Sequence, residues 1–228
     1  MLFYDENKNP VEYNLDSMPL LGKGMFGKVY KASDETCLKC FNYEQKQNER
    51  PLKIIRDLSL PSFYDIYSFY YTGEEGLIGY LMKFYPKEDI DILGIHKDYL
   101  LKNFEQMYED FGLISQNSMD IVDLNYNKII YTQEKMIIID ADLYRLSNSS
   151  NAFTKKMNKK HLQFLYINLI IRQLTIKYGY DERKLSLIKD ELVNFFYDKS
   201  KNPRLFERKL KKYERPIEFI RHLERKRK

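Results

Sequence analysis

Gly22, Gly24 and Gly27 stand at G-x-G-x-x-G spacing in Leu21-Gly22-Lys23-Gly24-Met25-Phe26-Gly27-Lys28-Val29-Tyr30, and Lys39 follows in Cys37-Leu38-Lys39-Cys40-Phe41. Glycines at that spacing let a backbone turn approach polyanionic oxygens with no Cβ in the way. Turn amides then point at phosphates, and a nearby lysine adds charge. A second set of residues lies far downstream. Asp123 precedes the apolar run Ile129-Ile130-Tyr131, and Met136-Ile137-Ile138-Ile139 runs into Asp140-Ala141-Asp142. Two apolar runs joined by a polar turn at Gln133-Glu134 predict a hairpin with one aspartate before it and another after it. Such a hairpin holds two carboxylates at one mouth. One carboxylate orients an attacking hydroxyl and the other holds a divalent ion on nucleotide phosphates, the division of labour phosphoryl transfer requires.

The elements around the glycines decide what they serve. A dinucleotide fingerprint needs a strand, a turn and then a helix. Here 28–32 alternates as a strand, 33–36 turns, and 37–41 is a second strand, so the glycine loop joins antiparallel strands as a lid. Residues 1 to about 85 read as mostly strands with one helix at 51–58, where Leu52, Ile55 and Leu58 share a face and Pro51 is tolerated in the first turn. Pro61 stops that helix. Strands are expected at 63–71 and 76–84, joined by Thr72-Gly73-Glu74-Glu75. Helices are expected at 96–112, 160–177 (apolar and central), 185–197 and 204–225. A break at Phe84-Tyr85-Pro86-Lys87 predicts domains 1–85 and 86–228 with a ligand cleft between them.

In this order the motifs resemble the protein-kinase-like superfamily, and within it a small atypical or bacterial-type kinase, over about 20–175. The resemblance implies an α+β, bilobal protein-kinase-like fold with a β-rich N-lobe and a compact helical C-lobe. It implies ATP and Mg²⁺ as cofactors, and transfer of the γ-phosphate to a hydroxyl acceptor, a protein Ser/Thr or a small molecule. A pseudokinase that keeps the nucleotide cleft as a binding or scaffold module is the alternative. By the same resemblance Asp123 is catalytic, standing where the aspartate of H-R-D would be, although Ile121 and Val122 replace the His and Arg. Gly22, Gly24, Gly27, Val29, Lys39, Met82 and Phe84 bind ATP, with Lys39 on the α/β-phosphates and Met82 at the back of the adenine pocket. Asp140, first residue of the segment in place of D-F-G, is a metal ligand. The second ligand, an Asn five residues after the catalytic aspartate, falls on Lys128 counted forward from Asp123 and on Asn127 counted back from Asp140. Asn127 is taken as the ligand; an ammonium in that slot would repel a metal. Glu44 and Glu49 compete as the ion-pair partner of Lys39, with Glu49 preferred. Nothing between Leu143 and Lys160 resembles the A-P-E segment and its peptide platform.

Composition bounds the rest. Hydrophobic residues at 43% with 31% charged residues suit a soluble globular chain. No apolar run approaches the ~20 residues needed to span a bilayer. The N-terminal residues lack the basic and apolar parts of a signal peptide, so a cytoplasmic location is expected. Cys37-x-x-Cys40 nominally invites a metal or redox reading, but there is no second pair and His96, His161 and His222 are scattered, so two unpaired thiols are expected. Residues 201–228 carry twelve Lys/Arg against four Glu. That surplus either solvates a helix or attracts an acidic partner, whether protein, nucleic acid or membrane surface.

Overall fold

Period-two runs rich in Tyr, Phe, Ile and Val pair into one sheet in a computed structural model that describes residues 1–43, 49–72, 76–197 and 203–227. The strands are β1 (Leu2–Tyr4), β2 (Pro10–Glu12), β3 (Leu20–Lys23), β4 (Gly27–Lys31), β5 (Thr36–Phe41), β6 (Ile66–Thr72) and β7 (Gly76–Lys83), in the order β2-β1-β6-β7-β5-β4-β3. All their pairings are antiparallel. Helix α1 (Glu49–Leu58) lies between β5 and β6 in the chain, and α2 (Lys97–Gln116), α3 (Asn151–Tyr178), α4 (Glu182–Tyr197), α5 (Pro203–Leu210) and α6 (Pro216–Arg227) form the remainder. Between α2 and α3, β8 (Met119–Asp120) pairs with β11 (Arg145–Leu146), and β9 (Ile129–Tyr131) pairs with β10 (Met136–Ile138). The architecture is mixed α+β: a seven-stranded antiparallel sheet with six α-helices among the described residues.

The helix ends follow local chemistry. After Leu58 the chain turns left-handed at Ser59 (φ 47°), two residues before Pro61. Helix α3 starts nine residues earlier than its apolar stretch suggested, because the Ser150 side chain accepts from the Phe153 amide and caps a lysine-rich first part. Gly179, at φ 62°, closes its other end in the left-handed conformation that glycine adopts without strain. The single helix expected over 204–225 is two helices, since Pro216 has no amide to donate and restricts Arg215 before it. Of the predicted turn at 72–75, residues 73–75 lie outside the described residues.

One hydrophobic core runs from the sheet into the helices, joining Leu52 and Ile55 of α1, Phe69 and Tyr80 of the sheet, Phe104 of α2 and Leu165 of α3. The opposite sheet face carries a smaller cluster with Phe3, Leu38, Cys40, Tyr70 and Ile78. The two cysteines therefore face opposite ways from β5, Cys37 into the large core and Cys40 into the small one, as residues three apart on a strand must. Both thiols are free and buried, and burial pushes each up to about 11. They cannot chelate one metal or join as a pair. Among the described residues no helix is long and apolar enough to cross a membrane.

Candidate functional site

Strand register puts Lys39 directly opposite Val29 of β4 and Tyr80 of β7, so these side chains form one row across the sheet. Met82 sits in the adjacent row, opposite Cys37. Lys39 is 7% exposed, and an ammonium that deep must find anions. It finds two, donating to Asp140 and to Asp142. The second oxygen of Asp142 accepts from the Tyr80 hydroxyl (2.9 Å), which lies 3.1 Å from the Tyr64 hydroxyl. Burial opposes the charge on Lys39, but the carboxylates of Asp142 and Asp140 outweigh it and hold the ammonium above its ordinary value. Asp142 is nearly sealed and its carboxyl is pushed up, chiefly by burial, against the pull of Lys39. Asp140 is also partly buried, but Lys39 and Lys128 hold its carboxyl well below the usual range.

The acidic residues are brought there by helices α2 and α3. Asn103 of α2, buried, accepts from the Met136 amide (2.7 Å) at the start of β10. The Ile138 amide donates to Ser62 O (2.7 Å), and the Ser62 amide donates to the buried carboxylate of Asp110 on α2 (2.8 Å). Asn158 of α3 accepts from the Ile121 amide (2.9 Å) and donates to Met119 O (2.8 Å). Thus the approach to Asp140 hangs from α2 and the approach to Asp123 from α3. Both aspartates adopt left-handed backbone, φ 55° at Asp123 and 64° at Asp140. That conformation is costly for a side chain with a Cβ and persists where the surroundings enforce it, which is common at functional sites.

Lys128 joins the two aspartates. It ends a 3-10 turn (Tyr126–Lys128), and its Nζ lies 2.8 Å from Asp123 Oδ2, 3.0 Å from Asp140 Oδ2 and 3.3 Å from Asp140 O. The expected hairpin is present and its two flanking carboxylates share one cation. Asn127, expected to point at that place, does not. It is exposed, and its amide donates to Asn125 Oδ1 (3.0 Å). Neighbours on a 3-10 turn diverge by about 120°, so only one of the pair can face the carboxylates, and the longer side chain does.

Glu49 is a second correction. It opens α1, accepts from the Tyr71 hydroxyl (3.0 Å) and pairs with Lys53 (2.6 Å), a helical turn away. Among the described residues no bond joins it to Lys39, whose partners are Asp140 and Asp142. Glu44 lies outside the described residues. Sequence reasoning passed over Asp142 as a replaced glycine, and it missed Tyr80 altogether. The signal for Asp142 was the i, i+2 spacing of two aspartates about the small Ala141; the signal for Tyr80 was a polar-tipped residue in an otherwise apolar central strand.

The glycines differ among themselves. The Gly24 amide donates to Gly27 O (2.8 Å), closing the β3–β4 turn. A Cβ at Gly27 would run into the Cys40 carbonyl, so β5 itself demands glycine there. A Cβ at Gly22 would meet nothing within 4 Å, and one at Gly24 only Gly27 O at 4.0 Å. The fold does not require either. Phe84 lies just past β7, its amide donating to Glu35 O (2.7 Å) and its ring 5.4 Å from the Lys31 ammonium.

Mg²⁺ demands near-octahedral oxygen ligands. Here the carboxylates of Asp123, Asp140 and Asp142 each hold a lysine, and Asn127 faces solvent. Among the described residues no group of three or more His, Cys, Asp or Glu is arranged to hold a metal. As arranged, the residues do not fit Mg²⁺. A groove elsewhere, between α2 and α3, is lined by Tyr108, Phe111, Leu162, Lys155 and Lys159 and shares no residue with this cluster. Comparison with known families finds no family model that matches the chain, and comparison with curated proteins finds no significant match.

Proposed function

We propose that the chain is a nucleotide-binding protein of kinase-like, bilobal organisation, with 1–85 as the β-rich lobe, the helical lobe from 86 onward, and ATP in the cleft between them. The observation that carries this reading is Lys39. A lysine on the central part of a sheet, under a glycine hairpin, is tied to the acidic segment that follows a second hairpin. Phosphates beneath the lid would meet the backbone of the glycine turn, where Gly22 and Gly24 bring no side chain, and the Lys39 ammonium behind it. Val29 and Met82, on the Lys39 face of the sheet, would provide the apolar walls for a base. Thermal melting with and without ATP tests the reading: ATP raises the melting temperature of the wild type and not that of Lys39→Ala. No stabilisation by any nucleotide would sink it.

A second reading, phosphoryl transfer to a hydroxyl, is favoured by Asp123. Its side chain is 48% exposed, its backbone is left-handed, and it stands at the mouth where an acceptor would enter. Transfer of labelled γ-phosphate that disappears in Asp123→Asn while ATP still stabilises the protein would establish it. An acidic partner for the basic C-terminus is a separate proposal. Truncation is the wrong test for it, because Ile217 and Ile220 of α6 are core residues. Charge reversal at Arg225 and Lys226, with binding measured against salt, is the right one.

A further inference from the structure

We infer that Lys128 stands in for a divalent cation, so that the cleft takes the polyphosphate of a nucleotide without metal; this rests on the nucleotide reading above. A divalent ion beside a triphosphate does two things. It neutralises the acidic residues so that phosphates can approach, and it gathers phosphate oxygens. The first task is already done. Lys128 holds Asp123 and Asp140, while Lys39 holds Asp140 and Asp142. Every N–H of the Lys128 ammonium has an acceptor in reach, and its side chain is 12% exposed. It is a fixed charge, not a wandering one. A metal entering between Asp123 and Asp140 would have to expel it, against a repulsion of about 4 kcal/mol for even unit charges about 4 Å apart near a protein surface.

The second task falls to the backbone of the lid. Gly22 and Gly24 keep the turn clear of side chains, so its main chain can approach a polyanion closely. The lysines that flank the turn take no part. Lys28 lies opposite Cys40 and Lys23 opposite Lys28, so both point to the sheet face away from Lys39. The lid therefore offers phosphates its main chain, and the floor carries the charge that screens carboxylates.

The test is titration of the full chain with a fluorescent ATP analogue, once in EDTA and once in excess Mg²⁺. Wild-type protein is expected to bind in EDTA with an affinity within about threefold of that in Mg²⁺. Lys128→Asn is expected to lose about tenfold or more in EDTA and to recover with Mg²⁺, since an amide can ligate where the ammonium repelled. Wild-type binding that requires Mg²⁺ overturns the inference and leaves the nucleotide reading standing. No binding in either buffer overturns the nucleotide reading and this inference together. Should Lys128→Asn fail to fold, the two wild-type titrations still decide.

Discussion

Two lysines hold three aspartates in this protein, and the two clusters differ chiefly in how much water reaches them. Lys39 is enclosed, with Asp142 sealed behind it and Tyr80 and Tyr64 completing the polar chain into the core. Lys128 reaches outward to Asp123, whose side chain is half in solvent. An enclosed ion pair is costly to break, because the surviving charge stays buried. An exposed pair gains little from attraction and loses little on removal. The inner cluster is thus a fastener between the sheet and the hairpin segment, and the outer one, through Asp123, is the part of the site that solvent reaches. Identical residue types acquire different work from burial alone.

The largest test of that contrast is Lys39→Met beside Lys128→Met. Removing the inner ammonium should cost about 3–5 kcal/mol in urea unfolding, and removing the outer one about 1 kcal/mol or less. Equal losses would erase the distinction. pH sharpens it. In the wild type the lowered Asp140 adds stability that is present above the ordinary carboxylate range and lost as pH falls through its folded value. The raised Asp142 acts the other way, its contribution present below that range and lost as pH rises through its folded value. Without Lys39 both carboxyls resist ionisation, so Lys39→Met should lose stability as pH rises from the acid side toward neutrality. Unfolding curves at a series of pH values check this.

The lid offers a smaller contrast of the same kind. Gly27→Ala should destabilise by about 1–3 kcal/mol, because its methyl meets backbone rather than a yielding side chain. Gly22→Ala and Gly24→Ala should stay within about 0.5 kcal/mol of wild type yet weaken ATP binding. A stable Gly27→Ala, or unchanged binding in the other two, would break the division between a glycine the fold needs and two it does not. The thiols repeat the burial argument without a counter-ion. Cys37 and Cys40, raised to about 11, contribute stability below their ordinary value near 9 that is lost as pH rises through 11. At mildly alkaline pH both should react with a thiol reagent far more slowly in the native state than in denaturant. The smallest effect is Glu49→Gln, which loses a part-exposed pair with Lys53 and should change stability by about 0.5 kcal/mol and ATP binding not at all. A marked loss of ATP binding would return Glu49 to the Lys39 partnership.

Much of the framework was legible in the chain. The strands expected at 28–32, 37–41, 63–71 and 76–84 are present as β4 to β7, with β6 beginning three residues later than expected; Pro51 and Leu58 bracketed α1 closely, and the apolar runs about Gln133-Glu134 specified the β9–β10 hairpin. These are local signals, set by side-chain period and turn chemistry within a few residues. The same locality placed Lys39 on a strand and put aspartates on both sides of the hairpin. Partner choice was not local. Glu49 and Asp142 are both acids within the reach a sequence allows for Lys39, and only the packing of the hairpin segment against the sheet, through Asp110 to Ser62 and Ser62 to Ile138, brings Asp142 to it. Asn127 and Lys128 are neighbours in sequence, and the tight turn they share decides which one faces the carboxylates. The sequence by itself determined which charges this protein owns and which elements bear them. Tertiary structure alone decided which charges meet, because burial and rotation about a turn depend on residues far away in the chain.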